Sequence, residues 1–466
     1  MLRLYNTLTN AKEELKTVEE GVVRLYTCGP TVYDYAHIGN FRTFVFQDLL
    51  RRYLRFRGYR IIHVMNITDV DDRIIQNARE QGMSLGEYTA KYTAAFIEDS
   101  KTLRIELPEL MPRATDHIPE MVELIKKLEA RGYAYRRDGS IYFNISRFAG
   151  YGRLSKTDFK GMQAGARVDT DKYDKDNARD FALWKAAKED EDFWETEIGP
   201  GRPGWHIECS AMSMKYLGES FDIHCGGADL IFPHHENEIA QSEGATGKPF
   251  VRLWLHSEFL IVDGEKMSKS LGNQFTLRDI LSRGHAPEAI RYLLLSSHYR
   301  KQLNFTADGL RQAQASIQRL EDFLQRLSEV AAEEPASPGF AEEVAAVRRD
   351  LVEAMDDDLN TSAALAVLYD FVRSTYQRME RLQLGGGDAR AAIRFIRDVD
   401  DVLAVLPSEL DLVDEEILTK IEERSQARRR RDFAESDRIR DWLLSKGIQL
   451  EDTRDGTRWK RVRSRP

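Results

Sequence analysis

No apolar run in this chain is long enough to cross a bilayer, so a bundle of membrane helices is not expected. The opening stretch Met1–Glu20 is studded with charge and has no apolar h-region, so no secretory leader is expected either. Cysteine is scarce: Cys28, Cys209 and Cys225 are odd in number and far apart, which argues against a disulfide scaffold. Free or metal-binding thiols in a reducing compartment are the expectation, hence a cytoplasmic protein. Internal repeats and low-complexity tracts are missing, which argues against solenoids and fibres. What remains is 466 residues with 42% hydrophobic and 31% charged side chains, the mixture of a globular chain of several domains.

The net charge of -9 is unevenly spread. Residues 421–466 hold 14 Lys+Arg against 9 Asp+Glu, whereas the preceding 420 residues hold 54 against 68. A basic tail on an acidic body suits a nucleic-acid contact at one end, and equally an ordinary solvated helix.

The first half alternates between two periodicities. Strands are predicted at Val22–Cys28 and Arg60–Asn66, and helices at Phe41–Phe56, Gly82–Arg104 and Asp116–Arg131. Residues 132–203 are irregular and rich in Asp, Lys and Gly, as in an insertion. Alternation then resumes with helices near His206–Leu217 and His234–Ser242 and strands near Phe221–Cys225 and Arg252–His256. Strand, crossover helix and strand predict an α/β, Rossmann-like doubly wound parallel sheet, with ligands beyond the C-terminal strand ends. After Asn304 the strand pattern stops and long helical stretches follow. The expected organisation is a core in two halves, 1–131 and 204–305, split by a connective segment at 132–203. A helical bundle at 306–406 and a small basic unit at 407–466 complete it.

Four clusters carry chemistry. His37-Ile38-Gly39-Asn40 lies between a strand and a helix start, where unpaired N–H groups and the positive dipole end suit a phosphate. Gly39 permits close backbone approach, and His37 can donate to developing negative charge. Alone, the string is equally a turn with a packed histidine. Lys266-Met267-Ser268-Lys269-Ser270, followed by Leu271-Gly272-Asn273, makes a cationic clamp for polyphosphate. The pentapeptide arises by chance in such a chain only on the order of once in several thousand. Gly226-Gly227-Ala228-Asp229 follows a predicted strand; paired glycines admit a flat ligand and Asp229 can accept ribose hydroxyls. Last, His234 and Glu238 stand four apart on a predicted helix and share a face, with Cys28 and Cys209 available as thiolates for tetrahedral zinc. Composition alone leaves Cys225, His224, His235 and Glu236 as rival ligands.

His37–Asn40 and the lysine loop, in that order on an α/β fold, form the signature of class I aminoacyl-tRNA synthetases, in which Asn40 stands where many members carry a second histidine. With Cys28–Asp34 (CGPTVYD), Gly204–Met212 (GWHIECSAM) and Asp229–Glu238 (DLIFPHHENE), the chain resembles the cysteinyl-tRNA synthetase family over essentially its whole length. The resemblance implies Cys28, Cys209, His234 and Glu238 as ligands of one zinc ion per chain. It implies ATP contacts from His37, Gly39, Asn40, Gly227, Asp229 and Lys269, with Mg²⁺ on the phosphates. His37, Lys266 and Lys269 would stabilise the transition state. Thr68 and Trp205 are candidates for the amino-acid pocket. The basic tail, with Arg428–Arg431, Trp442 and Trp459, would meet the anticodon.

The implied activity is cysteine–tRNA ligation through a cysteinyl-adenylate, with tRNA(Cys), cysteine and ATP as partners, no membrane contact and a monomeric state. A rival is the related ligase that joins cysteine to an amino sugar in mycothiol biosynthesis; the long basic tail argues against it. A non-catalytic tRNA- or zinc-binding descendant would be expected to lose lysines from the 266–270 loop, and both are kept. A zinc peptidase is set aside because His234–Glu238 is not His-Glu-x-x-His.

Overall fold

The computed structural model describes residues 1–157, 180–188, 191–268, 271–407, 415–445, 448–453 and 456–461, with backbone alone at 415–418, 451–453 and 456–461. The chain divides into two compact units. The first comprises Met1–Arg278, Leu294–Thr306 and Glu353–Ser362; the second holds Asp279–Leu293, Ala307–Val352 and Ala363–Pro466.

A hairpin of β1 (Arg3–Asn6) and β2 (Ala11–Glu14) opens the first unit. Next come β3 (Val22–Thr27), α1 (Ile38–Phe56) and β4 (Arg60–Met65), then α2 (Asp72–Glu80), α3 (Leu85–Thr102) and α4 (Ile118–Ala130). Helix α1 forms because Phe41, Phe44, Val45 and Leu49 recur at helical spacing and bury one face. It ends where Gly58 takes φ +88°, a conformation that β-carbon-bearing residues resist. The expected helix at 82–104 is present, but α2 was not anticipated from the pattern. Asp71 caps it, accepting from Ile74 N at 2.6 Å, and Ile74, Ile75 and Ala78 bury its inner face.

Among its described residues, the segment expected to be irregular forms four strands, β5 (Ala134–Arg137), β6 (Ser140–Phe143), β7 (Phe181–Ala186) and β8 (Gly201–Pro203). They make one antiparallel sheet in sequential order, packed around Phe143 and Phe181, whose rings stack at 5.0 Å. The chain then returns to the core with α5 (Trp205–Leu217), β9 (Phe221–Gly227), α6 (Glu236–Thr246) and β10 (Val251–Ser257). The core sheet has the order β10-β9-β3-β4, every pairing parallel. This is the doubly wound arrangement predicted. Two short strands, β11 (Leu260–Val262) and β12 (Glu265–Lys266), carry the chain into the lysine loop. Helices α7 (Leu277–Ser282) and α8 (Pro287–Ser296) follow, and β13 (Leu303–Phe305) pairs in parallel with β11.

The second unit contains α9 (Ala307–Val330), α12 (Gly386–Leu403) and most of α10 (Pro338–Asp356) and α11 (Thr361–Glu380). Phe371 meets Phe395 edge-on at 5.0 Å, and the buried Arg291 guanidinium donates to Leu403 O at 2.7 Å, covering a carbonyl at the end of α12. Helices α13 (Glu415–Arg429) and α14 (Phe433–Ser445) precede β14 (Ile448–Thr453) and β15 (Gly456–Arg461), an antiparallel pair. That hairpin corrects the expectation that strands end at Asn304. No helix among the described residues is long and apolar enough to cross a membrane.

Candidate active site

A cleft of about 1860 Å³ opens where the four core strands end, lined by residues that close or follow them: Gly227 and Ser257 at the ends of β9 and β10, and Cys28 and Thr68 just past β3 and β4. Parallel strands leave their carboxyl ends and the helix N-termini facing the same side, which is why a cleft forms there.

His37 is the N-cap of α1. Its Nδ1 accepts from Asn40 N at 3.1 Å, and Asn40 Oδ1 accepts from His37 N at 3.0 Å, a reciprocal cap. Asn40 therefore spends its backbone N–H and its side-chain oxygen on the helix start, while its side-chain nitrogen Nδ2, a donor suited to a phosphate, is not used in the cap. A β-carbon on Gly39 would come 2.7 Å from Met267 Cε, the tip of a flexible side chain of the lysine loop, and 3.0 Å from His37 Nδ1, so the loop packs closely against this turn. Asn273 closes that loop: its Oδ1 accepts from Ser268 N at 2.8 Å and its Nδ2 donates to Lys266 O at 3.3 Å. Lys266 is exposed and lines the cleft; Lys269 lies outside the described residues. Gly227 and Asp229 also line the cleft, and burial raises the Asp229 carboxyl above its usual range.

At the base of the cleft sits a buried cluster. The ligand-type atoms of Cys28, His234, His235 and Glu238 all lie within 4.8 Å of one another. Three of the four residues expected to hold zinc, Cys28, His234 and Glu238, fall in this group; the fourth member is His235, whose Nε2 is 3.3 Å from Cys28 Sγ, while Cys209 lies beside Cys28 and His234 without belonging to it. Cys225 is buried, and its carbonyl accepts from Cys28 N at 3.1 Å. Helix α6 starts at Glu236, so His234 lies in the turn before it rather than on the expected helix; His234 Nε2 is nonetheless 3.0 Å from Glu238 Oε1.

The charges in this cluster are set by burial against mutual attraction. Burial raises the Cys28 thiol well above its ordinary value, and the hydrogen bond to Cys209 adds to the rise. That same bond lowers Cys209 to about 6, against the opposing effect of burial. Burial opposes ionisation of both thiols. Burial would raise Glu238, but His224 and His234 hold it down to about 2; His224 Nε2 lies 2.9 Å from its Oε2. Burial would lower His234, yet the charges of Glu238 and Cys209 carry it up to about 10. Glu238 Oε1 is buried, and its close neighbour His234 Nε2 does not meet it in hydrogen-bond geometry. A buried carboxylate oxygen beside a thiol and imidazoles is what a thiophilic divalent cation would satisfy, so the donor set fits zinc.

Thr68 and Trp205 both line the cleft. Trp205 is 39% exposed, so it is not a core tryptophan, and its ring lies 4.3 Å from that of His234. Thr68 is buried in a relay that sequence reasoning missed. Gly29 N donates to Asn66 Oδ1 at 3.0 Å, Asn66 Nδ2 to Thr68 Oγ1 at 3.0 Å, and Thr68 Oγ1 to Glu208 Oε2 at 3.1 Å. The available signals were a polar residue closing an apolar strand and a carboxylate next to Cys209.

The comparisons with known proteins agree with this geometry. The family described as tRNA synthetases class I (C) catalytic domain matches residues 14–315, and the DALR domain matches 351–406. The cysteine–tRNA ligase of Solibacter usitatus is 55% identical over 463 residues, covering 99% of each chain. That of Koribacter versatilis is 50% identical over 99% of each chain. The Chlamydia muridarum enzyme is 49% identical over 99% of this chain and 100% of its own. Among solved structures, methionyl-tRNA synthetase of Mycobacterium tuberculosis with methionyl-adenylate superposes with a TM-score of 0.60 at 16% identity, covering 89% of this chain and 96% of that one; it shares the fold.

Proposed function

Because this chain belongs to the cysteine–tRNA ligase family of class I synthetases, we propose that it activates cysteine with ATP and transfers it to the 3′ end of tRNA(Cys). The observation that carries this reading is a sulfur-, imidazole- and carboxylate-bearing cluster at the base of the same cleft that presents His37 and Lys266. One part can recognise a thiol and the other can neutralise a polyphosphate.

In the first step the cysteine carboxylate attacks the α-phosphorus of ATP, the bond to the β-phosphate oxygen breaks, and pyrophosphate leaves carrying the electron pair. The protein contributes alignment and charge stabilisation. His37, Lys266 and Lys269 are the groups we assign to the growing charge, with Mg²⁺ accompanying ATP. Gly39 and Asn40 take the phosphates at the α1 start, and Gly227 with Asp229 holds the ribose. In the second step a ribose hydroxyl of the tRNA terminus attacks the adenylate carbonyl and AMP departs.

Cys28, Cys209, His234 and Glu238 would hold one zinc ion. When bound, zinc supplies a borderline-soft Lewis acid that favours a substrate thiolate over the far less acidic hydroxyl of serine. An apolar pocket separates such near-isosteres by only about a hundredfold, so recognition through the sulfur removes the need for editing. Trp205 walls the amino-acid pocket against His234, and Thr68 lines it. Arg428–Arg431 are exposed at the end of α13 and suit an RNA backbone. Three free cysteines accord with a cytoplasmic protein, and we take it to be a monomer.

The test is charging of total tRNA with radiolabelled cysteine in ATP and Mg²⁺, with excess unlabelled serine. Acid-precipitable label that serine does not suppress is expected. AMP release that needs an amino sugar and leaves tRNA unlabelled would favour the small-molecule ligase instead.

A further inference from the structure

The two segments that face the phosphates are far apart in sequence and joined in the fold. Ile38 N donates to Phe275 O at 2.9 Å, and His37 forms an antiparallel bridge with Thr276. The chain leaving the lysine loop is thereby stitched to the start of α1. Two residues on, Arg278 makes three contacts at once. Its Nε donates to Asp99 Oδ1 at 2.9 Å, a terminal nitrogen donates to Glu98 Oε2 at 2.6 Å, and its guanidinium carbon lies 5.0 Å from the centre of the Tyr35 ring. Both acids belong to α3. Tyr35 stands two residues before His37, and its ring also meets Tyr92 of α3 edge-on at 5.2 Å.

A solvent-exposed ion pair is worth little by itself. This one differs in three respects. Asp99 is almost fully buried, with 5% side-chain exposure, so its pairing with Arg278 is poorly screened. A guanidinium shared between two carboxylates and laid over a ring keeps few rotamers. And the three elements it ties are α3, the turn carrying His37 and the stem of the lysine loop.

We infer that Arg278 is a positioning residue for the activation step: it clamps Tyr35, and with it the His37 turn, to the stem of the lysine loop and so sets the spacing between the two phosphate-facing segments. The inference rests on the function proposed above. Arg278 is not among the residues that line the cleft; it acts through Tyr35 and the backbone pairing at His37.

The experiment is a double-mutant cycle on the full-length chain, read by cysteine-dependent ATP–pyrophosphate exchange. Arg278→Ala and Tyr35→Leu, the latter keeping side-chain bulk, are each expected to lower the exchange kcat by about tenfold to a hundredfold, the scale of a small misplacement of reacting groups. The KM for cysteine and a zinc content of one per chain are expected to stay at wild-type values. The double variant is expected to be no slower than the slower single one, because both break the same clamp. Arg278→Lys, which keeps the charge and loses the planar fork, is expected to recover part of the rate. An unchanged rate in Arg278→Ala, losses that multiply in the double variant, or a parallel loss of zinc and cysteine binding would each overturn the inference. Exchange absent from the wild-type chain would instead bring down the proposed function and the inference with it.

Discussion

One part of the cleft is dry and the other is wet. Cys209, His234, His235 and Glu238 are at most 1% exposed and come from α5, α6 and the turn before it. His37, Asn40 and Lys266 are partly or fully exposed and come from two short, contiguous motifs. The difference follows from what each part handles. Telling sulfur from oxygen needs polar groups fixed and stripped of water, where each interaction is strong and an unpaired atom is costly. Stabilising a polyphosphate needs donors that can meet a large hydrated anion, and an N-cap and a lysine loop provide them at the surface of the cleft.

That contrast can be broken at either end. The largest effect is expected at the buried end. Cys209→Ala should take metal from one equivalent to near none and reduce the preference for cysteine over serine by more than about a hundredfold; elemental analysis and competitive charging measure both. Full zinc content in this variant would demand another ligand set, with His235 the first alternative given its place in the cluster. At the wet end, His37→Asn keeps an N-cap side chain and removes the imidazole. Pyrophosphate exchange should slow by about a hundredfold while the melting temperature and zinc content hold; loss of the fold instead would make His37 a capping residue only.

A smaller effect is expected from the residues around the ligands. His224→Gln removes the imidazole that faces Glu238, and metal affinity should weaken by about tenfold to a hundredfold in a chelator competition, with the preference for cysteine kept once zinc is saturating. The smallest lies outside the cleft. Replacing Arg428 and Arg429 by glutamine should raise the KM for tRNA several-fold and flatten its salt dependence by about one unit per lost phosphate contact. Exchange without tRNA should be unaffected, and a fall there would deny these arginines a separate RNA-binding role.

The two parts also differ in how far they could be read in advance. Lys266–Asn273 and His37–Asn40 are contiguous, so their chemistry is visible without a fold. The core strands were legible because parallel strands buried on both faces are runs such as VVRLYT and RIIHVM. The four strands within 132–203 were not, since they have three to six residues each and alternate with polar connections. Helix α2 and the C-terminal hairpin were missed despite local cues: Asp71 before an Ile74–Ile75–Ala78 face, and the Asp455-Gly456 dipeptide between two β-rich runs. Short elements bury too few side chains for periodicity to stand out from their surroundings.

The metal-type cluster marks the boundary between the two sources of information. From the sequence alone come a parallel α/β core, a phosphate-facing pair of motifs, a basic tail and a short roster of candidate ligands, because each rests on neighbouring residues or on composition. Which of those candidates meet was decided by the fold. Cys28 and Cys209 lie on opposite sides of the inserted sheet in sequence, and they touch because β3 ends beside α5 in the core. His235 enters the cluster, and His234 keeps its reach to Glu238, through the turn at Ile231–His235 rather than through helical spacing. Relays such as Gly29–Asn66–Thr68–Glu208 and the Arg278 clamp on Tyr35 belong to the same class. They join side chains across long separations, and such contacts form only when the burial of a common core has already fixed the backbone.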